Sequence, residues 1–296
     1  MISWLKKHLL TVILVAGLVA GAGLLLYPSV ANYWNSFHQT RAIMGYNDAV
    51  SEMSQEDYTA ILDEAKAYNK RLGKSGIQWN MTDAQKEEYN KMLRIDGTEV
   101  MGYISIPKIH VKLPMYHGTE EAVLQTSIGH LEQTSLPVGG KSSHCSVSGH
   151  RGLPSARLFT DLDRLKEGDT WTMTILNETV TYEADQIRIV EPEDLSNLGI
   201  EKKKDFCTLI TCTPYGINTH RLLIRGHRIP NADGDANLTA DAIQIEPKYI
   251  APFLSIPILI ALLIIMMITT RKARRMERME VEDSVTSYLT HRNILR

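Results

Sequence analysis

The chain has 296 residues, with 32 Lys+Arg against 34 Asp+Glu and a formal net charge of −2. That balance excludes a strongly basic nucleic-acid binder, and 44% apolar with 22% charged residues excludes wholesale disorder. Three cysteines without a C-x-x-C pair exclude a disulfide-stapled scaffold and a zinc ribbon.

Much of the apolar content lies at the two ends. Leu9 to Tyr27 carries no charge and follows Lys6 and Lys7. As a helix this run spans roughly 28 Å at about 1.5 Å per residue, the hydrocarbon thickness of a bilayer. It is long for the core of a signal peptide, and Leu24 to Pro28 make a poor cleavage site, so an uncleaved anchor is expected. A second uncharged run, Ile250 to Ile268, is followed at once by Arg271, Lys272, Arg274 and Arg275. Basic flanks mark the cytoplasmic side. The expected layout is a cytoplasmic N-terminus (1–8), a span (9–27), an outer segment, a linker (233–249), a second span (250–270) and a cytoplasmic tail (271–296). Both termini are then inside and everything from about 28 to 249 outside.

The outer segment changes period once. Residues 28–97 read as helical: Ser54-x-x-Asp57 opens a helix along Ile61, Ala65 and Tyr68, and Gly73 and Gly76 close it. A short break carries Trp79, and the capping box Thr82-x-x-Gln85 starts another helix through about Leu93. Asp96-Gly97 is a turn. From 98 to 232 the period becomes two. Met101, Tyr103 and Ser105 form one alternation, and Ile109, Val111, Leu113 and Met115 another. Trp171, Met173 and Ile175 face Val180, Tyr182 and Ala184 across a turn at Leu176–Thr179, and Ile187 and Ile189 extend the pattern. Phe206–Cys212 and Arg221–Arg225 are two further strands. Short strands with Gly/Pro-rich connections predict a mainly β domain, a mostly antiparallel sheet or closed barrel.

Three side chains could carry chemistry. Cys212 ends an apolar strand in Thr208-Leu-Ile-Thr-Cys-Thr-Pro-Tyr-Gly216. Strand ends hold side chains rigid and partly exposed, which suits a nucleophile. A thiol with a pKa near ~8.5 then needs a base or a cation beside it. His150, between glycines in Ser148-Gly-His-Arg-Gly152, is available as acid or base. Arg221 opens the strand after the one ending in Cys212, and an antiparallel pairing across the short loop would bring its guanidinium near the thiol. Arg225, on the same strand face, is the fallback. Cys145 and Cys207 are expected as packed thiols, with a disulfide as the alternative. Gly139-Gly-Lys-Ser142 is no phosphate loop, because Ser135 stands where the first glycine is required. His220 and His227 lack metal-ligand spacing, and neither a metal nor a cofactor is expected.

Taken together these strings resemble the sortases, membrane-anchored cysteine transpeptidases of Gram-positive bacteria. The resemblance runs from about Glu99 to Ile229. It includes Val100-Met-Gly-Tyr-Ile-Ser-Ile-Pro-Lys108, Leu113-Pro-Met-Tyr-His-Gly118, Ser148-Gly-His-Arg-Gly-Leu-Pro154 and Leu158-Phe-Thr-Asp-Leu162. The strings around Cys212 and Arg221, with the C-terminal apolar run, resemble class C, the pilin-polymerising branch. The resemblance implies an eight-stranded β-barrel with N-terminal helices, flanked by two transmembrane helices. It also implies Cys212 as nucleophile, His150 as general acid/base and Arg221 as stabiliser of substrate and oxyanion. Its implied partners are pilins or surface proteins bearing LPXTG-like signals, with a pilin lysine or the cell-wall precursor as acceptor, and no nucleic acid. A housekeeping enzyme that anchors proteins to the wall and a catalytically silent membrane scaffold are the alternative readings. Class C members often carry a lid with an Asp-Pro-aromatic motif; this chain has none, and Trp79 is the candidate plug.

Overall fold

The computed structural model describes residues 2–231 and scattered helical positions between Ile260 and Val281. The first apolar run opens helix α1, Ile2–Glu52. From Thr11 onward α1 is long and apolar enough to cross a membrane, with a mean hydropathy of 2.0 and nothing buried in its apolar window. The helix does not stop at the end of that run: Pro28 lies inside it and α1 continues into the outer segment. Its far end is amphipathic, burying Ile43, Tyr46 and Val50. The linker 233–249 and most of the C-terminal run and tail lie outside the described residues. Within that run Ile260 and Leu263–Ile268 are helical.

Helix α2, Gln55–Ser75, begins where the Ser54 hydroxyl accepts the Asp57 N–H at 3.1 Å. It ends at Gly76, whose φ of 79° is the left-handed stop that glycine supplies cheaply. Gly73 does not help to close it; it sits within the last turn. A Cβ there would stand 2.6 Å from the Ser142 carbonyl oxygen, so glycine lets α2 lie against the barrel. Helix α3, Asp83–Lys91, starts with the expected capping box and is shorter than expected, ending before Leu93. Its Tyr89 is fully buried. The Tyr89 hydroxyl meets His130 Nδ1 at 2.9 Å, and His130 Nε2 meets the Ser135 carbonyl at 2.8 Å.

The remaining elements close into a barrel. Its strands are β1 (Gly102–Ile106), β2 (Val111–His117), β3 (Ile128–His130), β4 (Ser143–Gly149), β5 (Thr170–Ile175), β6 (Glu178–Val190), β7 (Asp205–Thr213) and β8 (His220–Ile229). A short helix α4, Glu121–Leu124, lies between β2 and β3. The order around the barrel is β1-β2-β3-β4-β7-β8-β6-β5. Most neighbours are antiparallel, but β2/β3 and β4/β7 are parallel. The closed ring leaves no exposed sheet edge.

Two alternations differ from the sequence expectation. In β1 the core face is Gly102, Ile104 and Ile106, while Tyr103 and Ser105 are only half-buried. In β6 a register shift between Ala184 and Gln186 breaks the alternation, and Ile187 and Ile189 are exposed. The β5–β6 turn is tighter than expected, needing only Leu176 and Asn177, with Leu176 at φ 54°. The core is otherwise the predicted one: Trp171, Met173, Ile175, Val180, Tyr182 and Ala184 are buried. All three cysteines are free thiols, and Cys145 and Cys207 are buried register partners across β4 and β7.

Candidate active site

The β7–β8 ladder sets the first two side chains. Cys212 is the Cα partner of Arg221, and Ile210 of Leu223 one pair deeper. On β7 the alternate residues Cys207 and Leu209 belong to the main core, whereas Ile210 belongs to a separate small cluster. By alternation Cys212 faces away from the barrel interior, and it is half-buried.

The parallel β4–β7 ladder sets the third. Its last pair is Ser148 with Ile210. Continued two residues past that pair, the line of the ladder leads to His150 just beyond β4 and to Cys212 on β7, at the end of strands about 4.8 Å apart. The Thr211 hydroxyl ties this corner by donating to the Gly149 carbonyl at 2.8 Å. A Cβ on Gly149 would lie 2.8 Å from the Phe159 ring and 2.9 Å from Ile128, so β4 reaches the corner only with glycine there. The Phe159 N–H donates to the His150 carbonyl at 3.2 Å and closes the turn beyond. His150 Nε2 is buried and lies 3.5 Å from Glu121 Oε2 of α4.

The two candidate arginines differ in what already holds them. Among the described residues, Arg221 Nη1 donates to nearby carbonyls alone, Asn218 at 3.3 Å and His220 at 3.2 Å. Arg225 pairs with Thr208, well along the ladder from Cys212. Its guanidinium donates to Asp185 at 2.9 and 3.3 Å and to Glu201 at 3.4 Å, and stacks 4.1 Å from the Phe206 ring centroid. Arg225 is thus committed to the bulge residue Asp185, while Arg221 stands opposite the thiol.

Two residues near the corner gave no signal in the sequence reading. Glu121 is one. Arg151 is the other: its side chain is only 8% exposed, pairs with Asp163, and donates to Thr213 Oγ1 at 3.3 Å. It also lies 5.8 Å from the Tyr215 ring centroid. It clamps the turn after His150 to the turn after Cys212. Trp79, between α2 and α3, packs against the cluster of Val190, Leu198, Ile210 and Leu223. Because Ile210 and Leu223 flank the Cys212–Arg221 pair on the same face, Trp79 sits over the wall next to the site. An open cleft of about 550 Å³, lined by Arg188, Glu191, Asp194 and His220 among others, adjoins the same end of β8. No group of three or more His, Cys, Asp or Glu able to hold a metal occurs among the described residues.

The backbone pairing thus gathers a thiol, an imidazole and a guanidinium at one end of β4, β7 and β8, residue types that together suffice for acyl transfer. Comparison with known proteins gives the family. The Sortase domain family model matches residues 104–229. The crystal structure of sortase C1 from Streptococcus agalactiae is 63% identical, covering 65% of this chain and all of that one, with a TM-score of 0.64. The sortase C structure from Streptococcus pneumoniae is 41% identical over 64% of this chain and 97% of that one, with a TM-score of 0.59. Sortase D of Bacillus subtilis is 28% identical over 57% of this chain and 82% of its own length.

Proposed function

The chain belongs to the sortase family, whose members are cysteine transpeptidases, and on that premise we propose that it cleaves an LPXTG-like sorting signal and joins it to a pilin lysine during pilus assembly. The register that sets Cys212 against Arg221, with His150 at the end of the neighbouring parallel strand, carries the reading. The Cys212 thiol gives its proton to His150, and the sulfur attacks the threonine carbonyl carbon. Arg221, always charged and opposite the sulfur, neutralises the oxyanion. The intermediate collapses as the Thr–Gly C–N bond breaks, and His150 hands its proton to the departing glycine amine. The thioester left on Cys212 is then attacked by the acceptor amine. His150 removes the amine's proton, and Cys212 leaves as the thiol.

The class C neighbours support the pilin acceptor: the Streptococcus pneumoniae structure bears on pilin substrate specificity, and another neighbour is a pilus-related sortase C of Group B Streptococcus. On this reading α1 anchors the enzyme, the C-terminal apolar run forms a second span, both termini are cytoplasmic and the barrel faces the cell exterior. Trp79 is the plug that stands in for a lid motif.

The test mixes the full-length protein in detergent with signal peptides and weighs the covalent adduct. A mass gain equal to the peptide through its threonine, absent in Cys212→Ala, is expected. An adduct in Cys212→Ala, or none in the unaltered protein, overturns the reading and leaves a silent scaffold. Covalent multimers with pilin alone separate polymerisation from wall anchoring, which would depend on added cell-wall precursor.

A further inference from the structure

The corner holding His150 has a carboxylate that the three-residue chemistry above does not use. Glu121 Oε2 lies 3.5 Å from His150 Nε2. That nitrogen is buried and has no hydrogen-bond partner among the described residues, which leaves the carboxylate as its ion-pair partner. The Glu121 side chain is placed rather than free. Its other oxygen, Oε1, accepts from Gln125 Nε2 one helical turn on. The helix bearing it is fixed at its far end, where α1 contributes Gln39 Nε2, donating to the Thr126 carbonyl at 2.7 Å. Next along, the Ser127 hydroxyl donates to the Pro114 carbonyl of β2. A chain of contacts thus runs from the anchor helix through α4 to the imidazole.

Charged groups close in sequence or along the ladder have partners of their own. Arg221 of β8 is the register partner of Cys212 on β7. Arg151, next in sequence, turns to Asp163 and Thr213, and Arg157 pairs with Asp161. Among the described residues, Glu121 is the carboxylate paired with the histidine.

We propose that Glu121 is a positioning residue for His150, holding Nε2–H on its carboxylate so that Nδ1 exchanges the proton with thiol, leaving amine and acceptor amine. This rests on the transpeptidase reading given above for its chemistry, though not for its geometry. A carboxylate behind an imidazole fixes the tautomer and stabilises the imidazolium formed when Cys212 is deprotonated. The pKa of Glu121 is lowered, first by Gln125 and then by His150, in keeping with that pairing. Glu121 is 71% exposed, so the coupling belongs to the modest class of solvent-screened pairs.

The experiment follows the His150 ring in the full-length protein in detergent, labelled at histidine Cε1 and assigned by the signal lost in His150→Gln. In Glu121→Gln the imidazolium loses its counter-charge. The His150 titration should fall by about 0.2–0.7 pH unit at low salt, and by less in 1 M NaCl. The limb of the kcat/KM–pH profile set by His150 should move down with it, and peak kcat/KM should drop about two- to five-fold. Glu121→Asp should recover part of both. Superimposable His150 titrations in Glu121→Gln and the unaltered protein overturn the proposal, whatever the activity. If instead the titration shifts while no signal peptide is cleaved, the positioning contact stands and the transpeptidase assignment fails.

Discussion

Acid should unfold this protein through one histidine in particular. His130 is fully buried, and both of its ring nitrogens are engaged. The Ser135 carbonyl can only accept, so Nε2 carries the hydrogen and Nδ1 accepts from Tyr89: the neutral tautomer is built in. Burial pushes its pKa down from 6.5 to about 4. A depressed histidine pKa means the unfolded chain takes up a proton first. Stability is therefore intact above pH 6.5, falls as pH drops towards 4, and changes no further from this group below that. At about 1.4 kcal/mol per pH unit the loss is about 3 kcal/mol, a sizeable part of a domain's stability of roughly 5–15 kcal/mol. His144 and His117 are also lowered, chiefly by burial, and add a loss of the same sign. The assay is therefore a difference: urea unfolding of the full-length protein in detergent, from pH 7.5 to 4, with and without His130→Gln. The variant starts less stable but should lose about 3 kcal/mol less on acidification. Parallel curves for the two proteins would refute the tautomer argument.

The two arginines should separate cleanly. Arg221→Lys removes the fork opposite Cys212 and should cut kcat/KM for signal cleavage by about 10²–10³-fold with the unfolding midpoint unchanged. Arg225→Ala strands the Asp185 carboxylate and should cost about 1–3 kcal/mol of stability; the reverse pattern would mean that the ladder has been assigned the wrong role. Trp79→Ala removes packing over the wall beside Cys212. If about 1.4 kcal/mol of that packing is lost, a thiol probe should modify Cys212 about ten-fold faster, and an unchanged rate would leave Trp79 an ordinary packing residue.

How much of this could be read in the sequence depends on how local each contact is. The helices of the outer segment declare themselves through caps, Ser54 and Thr82, that act within a few residues. The Cys212–Arg221 pairing is legible because a short loop joins two adjacent antiparallel strands. The placing of His150 at the same end of the barrel as Cys212 is of another kind. It comes from a parallel pairing between strands far apart in sequence, and neither strand's period names its partner; only the resemblance to a known family bridged that gap. The failures are tertiary too. Gly73 reads as a helix terminus, but the neighbouring Ser142 carbonyl is what requires it. Ile187 and Ile189 continue an alternation on paper, yet the bulge at Asp185 turns them outward, and that same bulge supplies the carboxylate that occupies Arg225.

The long first helix changes what the anchor does. An apolar run followed by a flexible linker would merely tether a barrel to the bilayer. Here one helix, α1, carries the apolar stretch and then makes specific polar contacts with the segments around the site. Asn35 Nδ2 donates to the Ser155 carbonyl at 2.7 Å, and the Arg157 N–H donates to Asn32 Oδ1 at 2.8 Å; both partners lie in the loop leading away from His150. Gln39 holds the end of α4. These asparagines lie only five and eight residues beyond Tyr27, or about 7 and 12 Å along a helix axis. Tyr33, Trp34 and Phe37 are exposed on the same stretch, the kind of aromatic girdle found where a helix leaves the bilayer. The corner that carries His150 is therefore braced by the turns of α1 that follow its apolar stretch, which on the proposed reading stand close above the lipid surface.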